Sequence, residues 1–436
     1  MKNFSCLIIG TLLATSCTLR GQSPSTVMPA VVIPTLSATE KGISADVLWL
    51  KANAIPFETA EPNSSFEDLM PLKELIGSAR IVALGEATHG THEFFQMKHR
   101  MLEFLVEEMG FNTFAIEANW PEANLLNDYV HTGRGNPAEL LKGLYFWTWD
   151  TQEVLDMILW MRAYNENSSN TPKISFFGFD MQFDQMARDN VAQYMQKVDP
   201  QAAKQVADNY SCYPGDSVAC QKKLQAVYDW LGQHQADYTA KSSAEEFSLA
   251  LHSARVAIQY QDCSSKNNSG LTRDRYMAEN VTWLLDQAGP DAKIVLWAHN
   301  SHVGMSGEET FQTMGDHLRK QYGNQMVIFG FLFYQGSFIA MGTTTLQTFH
   351  VYAPPTNSYE FFFHDAGLPR FFLDLRSVKA GTAASDRLLA PHPFRQIGSG
   401  YHPNIMQSGF WTAALARVFD VVIYFQDTSP SLILKH

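Results

Sequence analysis

Short apolar runs, separated by longer polar stretches, recur along the chain. They are rich in β-branched and aromatic residues and have the length of buried strands. The clearest are residues 81–84, 113–116, 174–179, 293–298 and 326–333. Weaker runs at residues 338–344, 371–375 and 419–425 predict further strands.

Helical periodicity fills several of the intervals between these runs. In Glu93–Met109 apolar residues recur every three or four positions, and Gly110 supplies a stop signal. Thr151–Tyr164 has the same period, and residues 186–260 are polar and helix-like, without strand signals. Strands that alternate with helices predict an α/β fold, with a mixed, largely parallel sheet flanked by helices. We expect one domain over residues 45–436, with a helical insertion at about 186–260.

The first forty residues have the pattern of an export signal. A single Lys2 precedes an apolar run at residues 6–14, which is too short to span a bilayer. Ala14-Thr15-Ser16-Cys17 resembles a bacterial lipobox, in which the cysteine is lipidated. We therefore expect a signal peptide at residues 1–17, a flexible linker at 18–44 and a periplasmic or membrane-anchored lipoprotein. Ordinary cleavage nearby would instead leave a soluble exported protein.

Composition indicates which kinds of partner and ligand to expect, and the cysteines indicate a possible disulfide. The chain has a formal net charge of −12 and no basic run, which argues against a nucleic-acid partner. Aromatic residues make up 12% of the chain, enough for a large core and for a pocket that takes a bulky apolar ligand. In an oxidising compartment Cys212 and Cys220 could close a short loop, with Cys263 left over, but the sequence leaves the pairing open.

Ionisable residues stand at the ends of four predicted strands. Because ligand sites of α/β sheets lie at the carboxyl ends of strands, we expect these side chains to converge. Any one of them alone is more often a cap or a surface partner, but four together favour an active site. In chain order they are Glu86 with His89, Glu117, Asp180, and His299 with His302. Gly85 and Gly90 bracket the first pair and would let the backbone approach a ligand closely.

Several familiar catalytic motifs are missing from the sequence. It contains no G-x-S-x-G nucleophile elbow, no H-E-x-x-H zinc motif, and no Walker or dinucleotide glycine motif. His299 and His302 are three residues apart in a predicted loop, which is only a moderate metal signal. A standard serine hydrolase is therefore not expected.

Taken together, these motifs resemble those of the erythromycin esterase family. The resemblance spans about residues 45–427 and rests on segments in the same order: Gly85–Gly90 with Glu93, Phe94 and Lys98; Ile116-Glu117; Gly178–Asp180; Arg273-Asp274 with Met277, Ala278 and Asn280; Ala298–Asn300 with His302 and Val303; Phe394-Arg395 with Gly398 and Tyr401; and Phe419-Asp420 with Tyr424. It implies an α/β fold whose helical portion encloses a deep cleft. It also implies hydrolysis of the lactone ester of 14-membered macrolide antibiotics.

The resemblance also implies roles for individual residues. His89 would be the general base that activates water, and Glu86 and Glu117 would orient it or share its proton. His299 and His302 would stabilise the tetrahedral intermediate or carry protons to the leaving alcohol.

Substrate contacts are expected from further residues at the rim. These are Lys98, Arg273 and Asp180, together with the aromatic residues Trp120 and Trp297 beside the rim. Lys98 stands where some relatives have an arginine, so a bidentate contact is not expected there.

No cofactor is expected, although a divalent metal bound by Glu and His at the rim stays open. Two alternatives remain. One is an esterase or metal-dependent hydrolase of similar fold that acts on another substrate. The other is a surface lipoprotein that binds haem or another large apolar ligand, with His299 or His302 as an axial ligand.

Overall fold

The computed structural model describes residues 44–212, 217–264, 270–308, 310–403 and 409–436. The predicted signal peptide, the lipobox and the predicted linker before Ser44 lie outside these residues. Within the described ranges the strands are β1 Ile55–Pro56, β2 Ile81–Leu84, β3 Thr113–Asn119, β4 Ser175–Asp180, β5 Ile294–Trp297, β6 Met326–Met341, β7 Leu346–Val351, β8 Arg370–Asp374, β9 His392–Arg395, β10 Phe410–Ala413 and β11 Val421–Thr428.

The helices alternate with these strands and are grouped between β4 and β5. They are α1 Ala45–Asn53, α2 Leu72–Ile76, α3 His92–Met109, α4 Trp120–Thr132, α5 Pro137–Lys142, α6 Gln152–Glu166, α7 Gln185–Val198, α8 Pro200–Tyr210, α9 Ser217–Gln233, α10 Gln235–Lys241, α11 Ala244–Cys263, α12 Gly270–Ala288, α13 Asn300–Val303, α14 Met314–Tyr322, α15 Tyr359–His364, α16 Ser385–Leu388 and α17 Leu415–Val418. Within the described ranges, no helix is both long enough and apolar enough to cross a membrane.

One mixed sheet carries the fold. Its strand order is β1-β8-β11-β6-β2-β5-β3-β4, and β7 pairs with β6 beside this path. The six strands from β11 to β4 are parallel, whereas β1, β7 and β8 pair antiparallel. The predicted mixed, largely parallel sheet is therefore confirmed. A short hairpin of β9 and β10 lies apart from it.

Both faces of the sheet are buried, which explains why its strands appear as continuous apolar runs. In β2, Val82 and Leu84 belong to one core cluster, and Ile81 and Ala83 belong to another on the opposite side. Since side chains alternate along a strand, each face is covered by its own layer of helices. A third apolar cluster lies within α7–α11, the predicted insertion. That this insertion caps a deep cleft stays a prediction.

One pair of predicted strands is a single strand in the structure. The runs at residues 326–333 and 338–344 are joined in β6, which passes through Gly336. Gly336 has φ +133° and lies so close to Thr428 that a Cβ would contact its backbone at 2.3 Å. Only glycine fits this position. Beyond Gly336 the second half of β6 pairs with β7.

The cysteine pairing, which the sequence left open, is resolved. Cys212 and Cys220 form a disulfide, and Cys263 is a free thiol. Most of the loop that the disulfide closes, residues 213–216, lies outside the described residues.

Candidate active site

The loops after β2, β3 and β5 meet at the carboxyl edge of the sheet. The amide of Asn300 donates to the Glu86 carbonyl over 2.9 Å, and the amide of His299 donates to the Glu117 carboxylate over 3.0 Å. The parallel register brings these residues together, because neighbouring strands end at the same edge. The residues predicted at these three strand ends therefore lie in one cluster.

Glu86 is a fully buried carboxylate with three partners. Oε1 lies 2.6 Å from His89 Nδ1, and Oε2 accepts from Lys98 Nζ at 2.5 Å and from the Trp297 indole at 2.8 Å. Burial alone would raise the pKa of Glu86, but the Lys98 ammonium and His89 outweigh it and hold that pKa below its usual range. Glu86 is thus a fixed negative charge behind His89.

His89 stands against this carboxylate. Its Nδ1 lies 2.6 Å from Glu86 Oε1 in an ion-pair contact, but within the described residues neither atom is aligned for a hydrogen bond. Nε2 is the ring nitrogen on the side away from Glu86 and is therefore the candidate basic atom. The Trp149 ring meets the His89 ring edge-on, with centroids 5.7 Å apart, and the Trp149 indole donates to the Glu117 carbonyl over 2.9 Å. Together these contacts give His89 the orientation of a general base.

His299 has the opposite arrangement. Its Nδ1 caps helix α13 and accepts from the Ser301 amide at 3.2 Å, with the Ser301 hydroxyl 2.7 Å away. Burial, helped by His89, lowers the pKa of His299 to about 3, so its ring is neutral with the proton on Nε2. That Nε2 is buried and has no hydrogen-bond partner among the described residues. The centroids of the His89 and His299 rings lie 5.1 Å apart, so the candidate base and the buried donor are neighbours.

Arg273 connects the other two predicted carboxylates. Its guanidinium forms two hydrogen bonds with Asp180, of 3.0 and 2.6 Å, and a third of 2.8 Å with Glu117. Burial would raise the pKa of Glu117, but His302 and Arg273 outweigh it and lower that pKa strongly. Glu117 is therefore ionised, and one planar cation holds both carboxylates.

His302 is enclosed by charged neighbours. Its Nδ1 lies 2.8 Å from Asp274 Oδ1, and its Nε2 lies 3.1 Å from the Arg273 guanidinium and 3.4 Å from Glu117. Burial would lower the pKa of His302, but Asp274 and Glu117 outweigh it and raise that pKa. The ring is engaged at both nitrogens, which suits a role in fixing Arg273 and Glu117.

The predicted substrate contacts differ from what the structure shows. Lys98 is completely buried and is paired with Glu86, and Asp180 is completely buried against Arg273. Trp297 is buried behind Glu86, where Lys98 Nζ lies 4.4 Å from the centre of its ring. Trp120 is not brought to the cluster, because its indole packs on His252 and Trp283 in the core. Lys98, Asp180 and Trp297 thus support the site from behind, whereas Arg273 is partly exposed.

The two glycines in the first motif serve the protein's own packing. A Cβ at Gly85 would lie 2.1 Å from the Asn300 side chain, and one at Gly90 would lie 2.0 Å from the Ile339 carbonyl. We expected these glycines to let the backbone approach a ligand. In the structure they let it approach a neighbouring loop and a neighbouring strand instead.

The C-terminal segment closes the His89 loop from outside. Ser429 donates its amide to Glu93 over 2.7 Å and accepts from the His92 amide over 3.0 Å. The amide of Ser431 donates to the Gly90 carbonyl over 3.0 Å. The loop that carries Glu86 and His89 is therefore fixed on both sides.

Three residues of the cluster were not among the predicted site residues. Asp274 was part of the matched motif, and its neighbour Arg273 was the available signal. Ser301 lies between the two predicted histidines, but its amide contact with His299 is not visible in a pattern. Trp149 carries no sequence signal, since it reaches His89 only through the tertiary fold.

Two further observations describe the surroundings of the cluster. A cavity of about 200 Å³ opens beside the His299 loop, and its lining includes Ser301, Phe311, Phe394 and Trp411. Across the described residues, no group of three or more Asp, Glu, His or Cys side chains is arranged to hold a metal ion.

A mainly parallel α/β sheet that collects carboxylates and imidazoles at its carboxyl edge defines an enzyme-like architecture. The family model "Erythromycin esterase" matches residues 106–428. The chain thus belongs to the erythromycin esterase family, as the sequence motifs predicted, and this membership supports a hydrolase.

Individual relatives agree with this assignment. Erythromycin esterase type II from Escherichia coli is 26% identical over 435 residues, which cover 88% of this chain and 98% of the relative. A crystal structure of a Bacillus cereus protein is similar with a TM-score of 0.80 and 28% identity, covering 89% of this chain and 98% of that one. An erythromycin esterase mutant in its open conformation has a TM-score of 0.66 at 18% identity, covering 85% and 96%, and shows the shared fold.

Proposed function

We propose that the protein hydrolyses an ester by direct attack of water, and that the lactone of 14-membered macrolides is its substrate. The observation that carries this proposal is the pair of His89 and His299, a base and a free donor with ring centres 5.1 Å apart. The relation to erythromycin esterase type II supports the choice of substrate.

Each proton in the proposed reaction has a place. Water attacks the ester carbonyl carbon while His89 Nε2 takes one of its protons, and the negative charge of Glu86 stabilises the imidazolium. The carbonyl oxygen becomes an oxyanion, which accepts from His299 Nε2–H. The carbon–oxygen ester bond then breaks, and the His89 proton passes to the leaving alkoxide, giving an acid and an alcohol.

Residues around the two histidines keep this geometry without taking part in the proton transfer. Arg273 holds Glu117 and Asp180, and Glu117 accepts from the His299 amide, so the oxyanion donor is fixed to the same network. Phe311, Phe394 and Trp411 in the lining of the cavity beside the His299 loop support a substrate that carries apolar groups.

The test is incubation of purified residues 18–436 with erythromycin, followed by mass spectrometry for the addition of one water. His89→Ala should lower the rate by about 10³-fold or more, because it removes the base. His350→Ala, which removes an exposed histidine on β7, is the matched control. Unchanged erythromycin would refute the substrate, whereas full activity in His89→Ala would refute the mechanism.

We also propose that this reaction needs no metal ion. Support comes from the carboxylates Glu86, Glu117 and Asp180, which already neutralise Lys98 and Arg273. Activity should therefore survive dialysis against a chelator; loss of activity that a divalent ion restores would contradict this.

Finally, we propose that the protein is exported and lipidated at Cys17, as the lipobox-like segment indicates. Labelling cells with a fatty-acid analogue should mark the wild-type protein and leave Cys17→Ala unmarked. Labelling of both, or of neither, would contradict the lipid anchor.

A further inference from the structure

Tyr145 combines two features that folding does not explain. Its φ is +65°, in the left-handed region where glycine and asparagine are favoured, and its side chain is 64% exposed. It ends the turn after α5, where its amide donates to the Lys142 carbonyl over 3.1 Å. A large aromatic side chain at a strained and exposed position suggests a use outside the fold.

Two phenylalanines complete a small aromatic cluster with Tyr145. The Phe183 ring meets the Tyr145 ring edge-on, with centroids 5.5 Å apart, and the Phe146 ring at a tilt of 37°, with centroids 5.6 Å apart. Phe183 is 39% exposed, whereas Phe146 is half-buried against the core. The cluster therefore presents ring surface to solvent from two separate segments of the chain.

Both segments are anchored at the catalytic cluster. Tyr145 is four residues before Trp149, the ring that contacts His89, so their Cα atoms are at most about 15 Å apart. Phe183 is three residues after Asp180, and Gln182 between them donates to the Asp180 carboxylate over 2.7 Å. The aromatic cluster is thus tied by short segments of chain to residues that contact His89 and Arg273.

We infer that Tyr145, Phe146 and Phe183 form a subsite that binds an apolar ring of the ester substrate; this inference rests on the proposed function. Ring surfaces bury apolar substrate area and hold it in a defined orientation without losing much side-chain entropy. Because this subsite contacts the ring of the substrate and not its ester group, it governs the binding of bulky substrates more than the chemical step.

The test compares a bulky ester with a small one. In Tyr145→Gly we expect KM for 2-naphthyl acetate to rise about fivefold with kcat nearly unchanged, since one aromatic contact is lost. For ethyl acetate, kcat/KM should not change. The thermal unfolding midpoint should stay equal or rise, because glycine adopts the left-handed backbone freely. Phe183→Ala should act in the same direction as Tyr145→Gly.

Tyr352→Ala is the matched control, because Tyr352 is a tyrosine exposed even further, by 76%, on another segment. A parallel loss with both esters in Tyr145→Gly, or no loss with either, would overturn the subsite.

A separate measurement covers failure of the proposed function itself. If the wild-type protein hydrolyses neither ester, binding of 2-ethoxynaphthalene, which has no ester bond, is measured by titration calorimetry. Binding that weakens about fivefold in Tyr145→Gly would support the subsite. Wild-type and variant proteins that bind it equally, or not at all, would overturn the subsite.

Discussion

His299 and His302 lie three residues apart, yet their environments are opposite. His299 accepts from a backbone amide, and its buried Nε2 has no hydrogen-bond partner in the part of the chain that the structure describes; its pKa is lowered to about 3. His302 lies between Asp274, Glu117 and Arg273, and its pKa is raised. Partners, rather than position in the chain, therefore make one imidazole a free neutral donor and the other a member of an ion network.

The largest effect on stability is expected when the network around His302 loses the Arg273 guanidinium. Arg273→Ala leaves Asp180 and Glu117 buried without their partner, and should lower the free energy of unfolding by about 3 kcal/mol, the low end for a buried pair because Arg273 is partly exposed. Urea unfolding at pH 7.5 measures this. Stability equal to that of wild type would show that the network is dispensable.

The donor role of His299 is tested by its removal. His299→Ala should lower kcat by about 10²- to 10³-fold with a small change in KM, because the oxyanion loses a donor. His302→Gln should lower kcat less, since its ring lies in the supporting network. Initial rates with the same ester measure both, and equal losses in the two variants would remove the functional distinction between them.

The two histidines should also give pH dependences of opposite sign. In the unfolded chain His299 is protonated below about pH 6.5, whereas in the folded protein it stays neutral down to about pH 3. The free energy of unfolding therefore falls as the pH is lowered through this range. His302, with a raised pKa, contributes stability that is fully present below pH 6.5 and is lost as the pH rises through its folded pKa.

Substitution makes these contributions visible. Relative to wild type, His299→Gln should lose less stability on acidification, by up to about 1.4 kcal/mol per pH unit between pH 6 and 4. His302→Gln should be more destabilised at pH 5 than at pH 9. Urea unfolding across this range checks both; slopes of the same sign would contradict the assigned environments.

The smallest effect is expected at Ser301. Its hydroxyl lies 2.7 Å from His299 Nδ1, but its backbone amide also donates to that atom and survives in Ser301→Ala. We expect less than about a tenfold loss in kcat, the cost of one ordinary hydrogen bond. A loss above a hundredfold, with a burst of released alcohol in the wild type, would instead indicate Ser301 as a nucleophile.

The strands that carry the site could be predicted, because a sheet buried on both faces leaves continuous apolar runs such as residues 81–84 and 294–297. The convergence of Glu86, His89, Glu117 and His299 follows from the parallel order of those strands. Strand order itself does not appear in the sequence.

Other features depend on contacts between distant segments. The buried positions of Lys98 and Trp297 behind Glu86, and the displacement of Trp120 towards His252, result from helix packing that no local pattern records. The tautomer of His299 depends on the contact by which it caps α13, a helix of a single turn. Residues 326–333 and 338–344 predicted two strands, yet the chain continues through Gly336 as the single strand β6.

The hydrogen bonds that join Ser429 to Glu93 connect residues separated by 336 positions. Closing so long a loop is among the slower steps of folding, because chain entropy is lost before the contact is gained. On the ribosome, the segment that steadies His89 emerges long after His89 itself. Catalytic competence should therefore appear last during synthesis, which makes hydrolysis a sensitive reporter of whether the whole sheet has been assembled.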